Sequence, residues 1–359
     1  MISNSPYKKF RLVCVLLLVS FVSAFAGGHS EGGEKEKFNV REFIFGHIGD
    51  SYSWHITKIG DTHLNIPLPI IVQSQDGSWH TFMSSIFHHE ELYEGFYLGE
   101  NGKVMEKLSD GTSVRPFDLS ITKNVLSLLI SAFLLIWFFL SMAHMYKKET
   151  MYVPGGFRGI MEVVMLFVLN EVIKPCVGKD YARYAPYLLT LFFFVLINNV
   201  MGIIPIFPGG ANVTGNIAIT GVLALFSFIA INLFASREYW REIFWGDVPV
   251  WLKSPIFPLI PLLEFIGIFT KPMALMIRLF ANILAGHIIQ LVFIALIFIF
   301  GAMSVWVGTG VSIFSVAFAV VMFVLEILVV FIQAFVFTML TSVFIGLSRV
   351  EPHHAHQKH

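Results

Sequence analysis

The sequence predicts an all-α polytopic membrane protein of five to six membrane helices, two of them forming a long tilted hairpin, preceded by a small N-terminal β-rich module. Composition is the first reason: 56% of the 359 residues are hydrophobic, only 13% are charged, and the mean hydropathy is +0.73, a balance that suits lipid rather than water as solvent. The second is a series of long apolar stretches at about 124–146, 184–206, 216–235, 262–300 and 304–347. The third is the polar segment ahead of them, which carries two hairpin signals. The formal net charge is zero, so nothing points to a nucleic acid or an acidic partner.

At the N-terminus, Lys8, Lys9 and Arg11 precede the apolar run 12–22, and Ala24-Phe25-Ala26 fits a small-x-small cleavage site. Together they predict a signal peptide over 1–26. Cleavage there removes Cys14 and leaves Cys176 alone, so the mature chain is expected to form no internal disulfide.

Residues 27–117 are expected to form the β-rich module. Asp76-Gly77 lies between 70–75 and 78–83, and Asn101-Gly102 lies between 96–100 and 103–107. Each pair reads as a β-hairpin closed by a primed turn. The segment 27–123 also holds seven histidines, with His88-His89 beside Glu90-Glu91. Their spacing matches no closed zinc pattern, and His89-Glu90-Glu91-Leu92-Tyr93 lacks the second histidine of a zincin. Surface histidines are the expectation, and no metal is assigned.

Residues 118–349 are expected to form the membrane domain and 350–359 a solvated tail. About 30 Å of hydrocarbon needs roughly twenty helical residues. The stretches 262–300 and 304–347 exceed that, so each must tilt, bend or contain an extra turn. The shorter 157–174, with Arg158, Glu162, Glu171 and Lys174, suits an interfacial helix. Six Lys and Arg residues fall in 147–183 and three in 236–253, whereas 207–215 and 301–310 contain none. The positive-inside rule then places the former loops and the tail in the cytoplasm and the β-rich module in the periplasm, where a signal peptide would also send it.

Chemistry must come from the few polar residues inside the long helices. Arg278 has apolar neighbours on every side and stays charged at any accessible pH. A central arginine costs roughly 2.5–3.5 kcal/mol on insertion scales. Asn282 follows four residues later on the same face, and Gly286 four beyond that is expected to keep the strip narrow enough for another helix to pass close. On the last helix, Glu326 and Gln333 are seven residues apart and nearly share a face. One antiparallel register serves both Arg278 with Gln333 and His287 with Glu326, nine residues along one helix against seven along the other. On an ideal helix, however, nine residues turn His287 to the side opposite Arg278.

The runs Arg278-Leu-Phe-Ala-Asn-Ile-Leu-Ala-Gly-His287 and Gln333-Ala-Phe-Val-Phe-Thr-Met-Leu-Thr341 resemble the two signature helices of the ATP synthase subunit a family. The resemblance covers roughly 118–349, and 186–205 also fits an earlier family helix. It implies the proton-translocating stator subunit of a rotary F-type ATP synthase in the bacterial inner membrane. Its implied partners are membrane lipid, the rotor ring of subunit c, the peripheral stalk subunit b and the rest of the complex. It implies that Arg278 faces the rotor ring, that Asn282 and Gln333 are its polar neighbours, and that His287 and Glu326 line an aqueous half-channel. Family members often carry the acid on the first helix and the histidine on the second; here the order is reversed, which keeps one acid and one imidazole at the same depth. No cofactor is implied, and the chain contains no Gly-x-x-x-x-Gly-Lys-Ser/Thr phosphate loop, so ATP chemistry would fall to other subunits. The alternative is an ion-coupled secondary transporter or channel that uses the same buried charges on a solute. A membrane hydrolase would need a His-Glu-x-x-His or Gly-x-Ser-x-Gly elbow, and neither occurs in the spans.

Overall fold

Where the chain must reverse within a few residues, glycine sets the geometry. The computed structural model describes residues 39–59, 62–88, 92–99, 101–108, 110–148, 155–204, 207–245, 259–303 and 305–349. The expected signal peptide, the acidic side of the His88-His89 cluster and the histidine-rich tail lie outside these residues. The described chain divides into two compact units, one comprising 39–42, 49–127 and 204–211, the other 43–48, 128–203 and 212–349.

A short helix α1 (Val40–Ile48), of which residues 43–48 group with the second unit, precedes three small antiparallel sheets in the first unit. Strands β1 (Ser53–Ile59) and β2 (Thr62–Pro67) pair as a ribbon. Strand β3 (Pro69–Gln73) lies between β4 (Trp79–Met83) and β8 (Phe117–Asp118). Strand β6 (Val104–Lys107) lies between β5 (Phe96–Leu98) and β7 (Ser113–Val114). The side-chain period of two is clear in β3, where Ile70 and Val72 are fully buried and their neighbours are not. They pack with Tyr52, Phe82, Phe96 and Val104.

The two expected hairpins form, but not through two-residue primed turns. Ser74 N–H bonds to Ser78 O and Gly77 N–H to Ser74 O, with Gly77 at φ 87°. Gly99, Gly102 and Lys103 repeat this pattern, as do Leu108, Gly111 and Thr112, with Gly102 at φ 64° and Gly111 at φ 78°. Each is a three-residue loop whose left-handed glycine forms a bulge. The dipeptide signals the reversal; only the backbone bonds reveal the extra residue. The third loop, at Asp110-Gly111, carries the same signal.

Tyr52 donates to the Asp118 carboxylate and receives the Val104 N–H at 3.5 Å, tying β8 and β6 to the chain ahead of β1. Burial raises the Tyr52 pKa, and the bond to Asp118 and that group's charge add to it. For Asp118 burial acts upward, but bonds from Ser120 and Tyr52 outweigh it and hold the carboxyl below its usual value. Residues 204–211 belong to this unit, and the Phe207 ring meets Trp54 edge-on with centroids 5.1 Å apart.

The second unit is helical. Helix α2 (Lys123–Lys148) is followed by α3 (Gly156–Phe167), which runs through a π-helical turn (Val168–Ile173) into α4 (Lys174–Val177) and a 3-10 turn (Gly178–Asp180), then α5 (Tyr181–Ile203). The expected interfacial segment is thus α3 and the turns after it; α3 has no fully buried residue, though Met161, Val164 and Met165 pack against the core, and Val168, Val172 and Ile173 are buried. Helix α6 (Ile217–Leu233) starts at Asn216, whose side chain accepts the Ala218 N–H. At 17 residues it is about 26 Å long. A short α7 (Arg237–Trp245) precedes α8 (Leu259–Met303) and α9 (Val305–Leu347). These last two run 45 and 43 residues, about 67 and 65 Å at 1.5 Å per residue. That is twice the hydrocarbon thickness, so each must tilt, bend or run past the hydrocarbon layer. Four helical runs are long and apolar enough to span a membrane, with α6 a shorter fifth.

Helices α8 and α9 pack antiparallel. Lys271 lies over Phe344, His287 meets Glu326, and Phe293 stacks on Phe318. Steps of 16 and 6 residues up α8 are matched by 18 and 8 down α9, a single register. The core joins α5 (Leu188, Phe192), α8 (Leu275, Leu279) and α9 (Ala334, Phe337). On α9, Ala334, Thr338, Thr341 and Ser342 are buried. Small residues at helical spacing bring backbones close. Contact is tightest at Gly346, where an added Cβ would lie 2.0 Å from the Cys176 carbonyl oxygen.

That approach is backbone against backbone, so no rotamer change would relieve an added Cβ. Gly346→Ala should destabilise the purified protein by about 1–3 kcal/mol through overpacking. Gly310→Ala in the same helix, where nothing lies within 4 Å, should be neutral or slightly stabilising because alanine favours the helix. Thermal unfolding of both variants in detergent checks the contrast; equal melting temperatures would remove the close crossing.

Candidate functional site

All five expected site residues lie on α8 and α9, and the structure sorts them into an exposed set and a buried set. Helix α8 buries a stripe of Ile268, Leu275, Leu279 and Ile283, which recurs at helical spacing and fixes the helix's rotation. Arg278 and Asn282 therefore point away from the chain's own packing, and both are exposed. Arg278 is 19 residues from the start of the helix and 25 from its end. Among the described residues it has no hydrogen bond or ion pair.

Ala274, Ala281 and Ala285 are exposed on the same side, and the spacing 274, 278, 281, 285 follows one face of an α-helix. The result is a strip of methyl groups and one amide around a guanidinium, flanked by Met273 and Ile277. Sequence reasoning found Asn282 but missed the alanines, although their spacing of seven and four residues was visible. It also placed Gly286 on this strip. The structure turns Gly286 toward α9 instead, where a Cβ would lie 3.4 Å from Glu326 Oε1. Eight residues advance an ideal helix by 800°, about 80° off the Arg278 face, so Gly286 makes room for the carboxylate.

His287 faces α9 as well. Its Nδ1 lies 2.9 Å from Glu326 Oε1, with the two side chains 13% and 6% exposed. The nine-residue separation that put His287 opposite Arg278 on an ideal helix is thus realised without a bulge: one helix presents the arginine outward and the imidazole inward. Glu326 Oε2 is buried and has no hydrogen-bond partner among the described residues. Removing either member of a buried pair leaves a charge or a dipole uncompensated. Gln333, seven residues beyond Glu326, is also buried, at 7% exposure. The single register predicted from residue numbers is realised for His287 and Glu326, whereas Arg278 and Gln333 differ in exposure.

The described residues contain no group of three His, Cys, Asp or Glu that could hold a metal ion. What the arrangement can do is hold a proton at a buried carboxylate and imidazole, and present a fixed cation to something outside the chain.

His287→Ala should cost about 3–5 kcal/mol, the usual cost of breaking a buried pair by removing one partner. The exchange His287→Glu with Glu326→His should recover most of it, because the register brings the same two groups together. Unfolding of the purified single and double variants measures this; an exchange no more stable than either single variant would mean the pair does not hold the hairpin.

Comparison with known proteins bears on the same segment. A family model described as ATP synthase A chain matches residues 125–346, and a second, a domain of unknown function (DUF8433), matches residues 43–122. The ATP synthase subunit a of Chloroherpeton thalassium is 37% identical over 272 residues, covering 76% of this chain and 77% of that one. Those of Pelodictyon phaeoclathratiforme and Myxococcus xanthus are 42% identical over 250 residues and 38% over 273. They cover 67% and 73% of this chain and 68% and 82% of their own length. The first match includes every helix that carries the strip and the buried pair, and on it the chain belongs to the ATP synthase A chain family.

Proposed function

We propose that this chain is the proton-translocating stator subunit of a rotary F-type ATP synthase, with Arg278 as the fixed charge facing a rotor ring of subunit c. Family membership supports the class. The observation that carries the residue-level reading is the exposure of Arg278: a guanidinium amid alanines with no hydrogen bond or ion pair among the described residues, midway along a helix too apolar for water. Facing lipid it would cost roughly 2.5–3.5 kcal/mol. Facing a carboxylate on a passing helix, it is compensated.

The alanine strip lets such a helix approach closely, and Asn282 offers a polar group one turn away. Protons enter from the periplasm through a water-filled cleft reaching His287 and Glu326, where Oε2 is the atom free to take one. The proton passes to a rotor carboxylate, which becomes neutral and can turn through lipid at low cost. After nearly a full turn the carboxylate releases it into a cytoplasmic half-channel and returns as an anion to Arg278, with Gln333 near that strip. The fixed cation stabilises the anion and blocks a continuous proton wire between the two half-channels. A membrane potential contributes about 2.3 kcal/mol per charge per 100 mV, enough to drive stepwise rotation. The chain itself catalyses no reaction; ATP is made on other subunits.

The chain is placed in a bacterial inner membrane, held to the ring and to the stalk subunit b. Its signal peptide is 1–26, its periplasmic module 27–117, its membrane domain 118–349 and its cytoplasmic tail 350–359. Loop charges support this orientation, and the grouping of 204–211, in a charge-free loop, with the β-rich module agrees with it.

ATP-driven proton pumping in inverted vesicles tests the reading. Arg278→Ala should abolish coupled pumping, at least tenfold below wild type, while copurification shows the complex assembled. Undiminished pumping would refute the assignment and leave the strip as packing.

A further inference from the structure

At the end of α2 that carries Lys147 and Lys148, an open groove of about 390 Å³ lies between α2 and α3. Trp137 and Phe157 line it at 62% and 64% exposure, and Phe138 meets Phe157 edge-on at 5.6 Å. Arg158 stands at its edge. The guanidinium reaches Ser141 Oγ at 3.3 Å and Met145 Sδ at 2.8 Å, neither of which is an anion. The neighbouring carboxylate, Glu162, is engaged by the Tyr146 hydroxyl at 2.5 Å. Gly155 occupies the N-cap of α3 and lines the groove, with no side chain capping the first amides. Gly155 and Arg158 thus line a groove whose other walls are mainly aromatic, and Lys147, six residues beyond Ser141 on α2, is exposed.

We infer that this groove binds an anionic phospholipid of the surrounding bilayer, with its phosphate on Arg158 and the α3 N-terminus and an acyl chain against Trp137, Phe138 and Phe157. Charge complementarity favours an anion there, because Arg158 and the uncapped start of α3 line the groove and, among the described residues, the neighbouring acid Glu162 is already engaged by Tyr146. The slot requires something apolar and thin. An acyl chain is much thinner than a helix with its side chains, about 10–12 Å across, and suits an open groove of this size. Depth agrees: α2 is about 39 Å long, and Ser141 lies seven residues from its end, where a long arginine reaches headgroup level. The inference needs only that the chain lies in a membrane and is independent of the role of Arg278.

The test uses the intact complex reconstituted into phosphatidylcholine vesicles. The vesicles are doped with photoactivatable phosphatidylglycerol or with phosphatidylcholine bearing the same acyl chain. After irradiation, mass spectrometry quantifies lipid adducts on peptides spanning 137–158. Wild type should be labelled about fivefold more by the anionic lipid. Arg158→Gln should lose that preference, and Arg158→Lys should keep most of it. Equal labelling by both lipids in wild type, or an undiminished preference in Arg158→Gln, would overturn the inference. So would protection of the groove from both lipids by a partner subunit. If Arg158→Gln does not assemble, the wild-type comparison of the two headgroups decides alone.

Discussion

Lipid does not solvate charge, and the membrane unit is organised around that constraint. Helix α8 carries a guanidinium that cannot be neutralised and an imidazole that can, nine residues apart. The helix settles both by facing them in opposite directions. Inward, His287 meets Glu326 at 2.9 Å, and Gly286 leaves space for the carboxylate. Outward, Arg278 has no hydrogen bond or ion pair among the described residues. The buried stripe from Ile268 to Ile283 fixes this rotation, so apolar packing of ordinary kind decides which charge faces inward and which outward.

The second consequence is length. Helices of about 65 Å exceed a hydrocarbon layer of about 30 Å, so each must tilt, bend or run past its edges. Small residues make this workable. Ala334, Thr338, Thr341 and Ser342 let α9 nest against its neighbours, and Gly346 lets it touch the backbone at Cys176. Small side chains thus serve two ends on two helices, close packing on α9 and an unobstructed exposed strip at Ala274, Ala281 and Ala285 on α8.

Much of this was legible in the sequence because it depends on periodicity and hydropathy. The spans, the long hairpin and the His287–Glu326 register follow from counting along two helices. Other features depend on which way a face turns, which one chain of residue numbers does not encode. Gly286 was read as part of the arginine strip because it follows Asn282 by four residues; it faces Glu326 because a helix drifts by about 40° over each such step. Gly346 was not singled out, since its role exists only through the crossing at Cys176. The hairpin glycines were identified but their loops were assigned one residue too few, because Asp-Gly and Asn-Gly serve two-residue and three-residue loops alike. Arg158 was read as part of an amphipathic face, and only the tertiary structure brings Trp137 and Phe138 beside it.

The account turns on what the exposed face of α8 meets. The direct measurement is cysteine cross-linking in the assembled complex between single cysteines at Ala274, Ala281 or Ala285 and a cysteine one turn from the rotor carboxylate. A cysteine at Val163, exposed on α3, serves as the control. The account predicts cross-links from all three strip positions and none from the control. Absence of cross-links at the strip, with cross-links forming elsewhere on the chain, would contradict it.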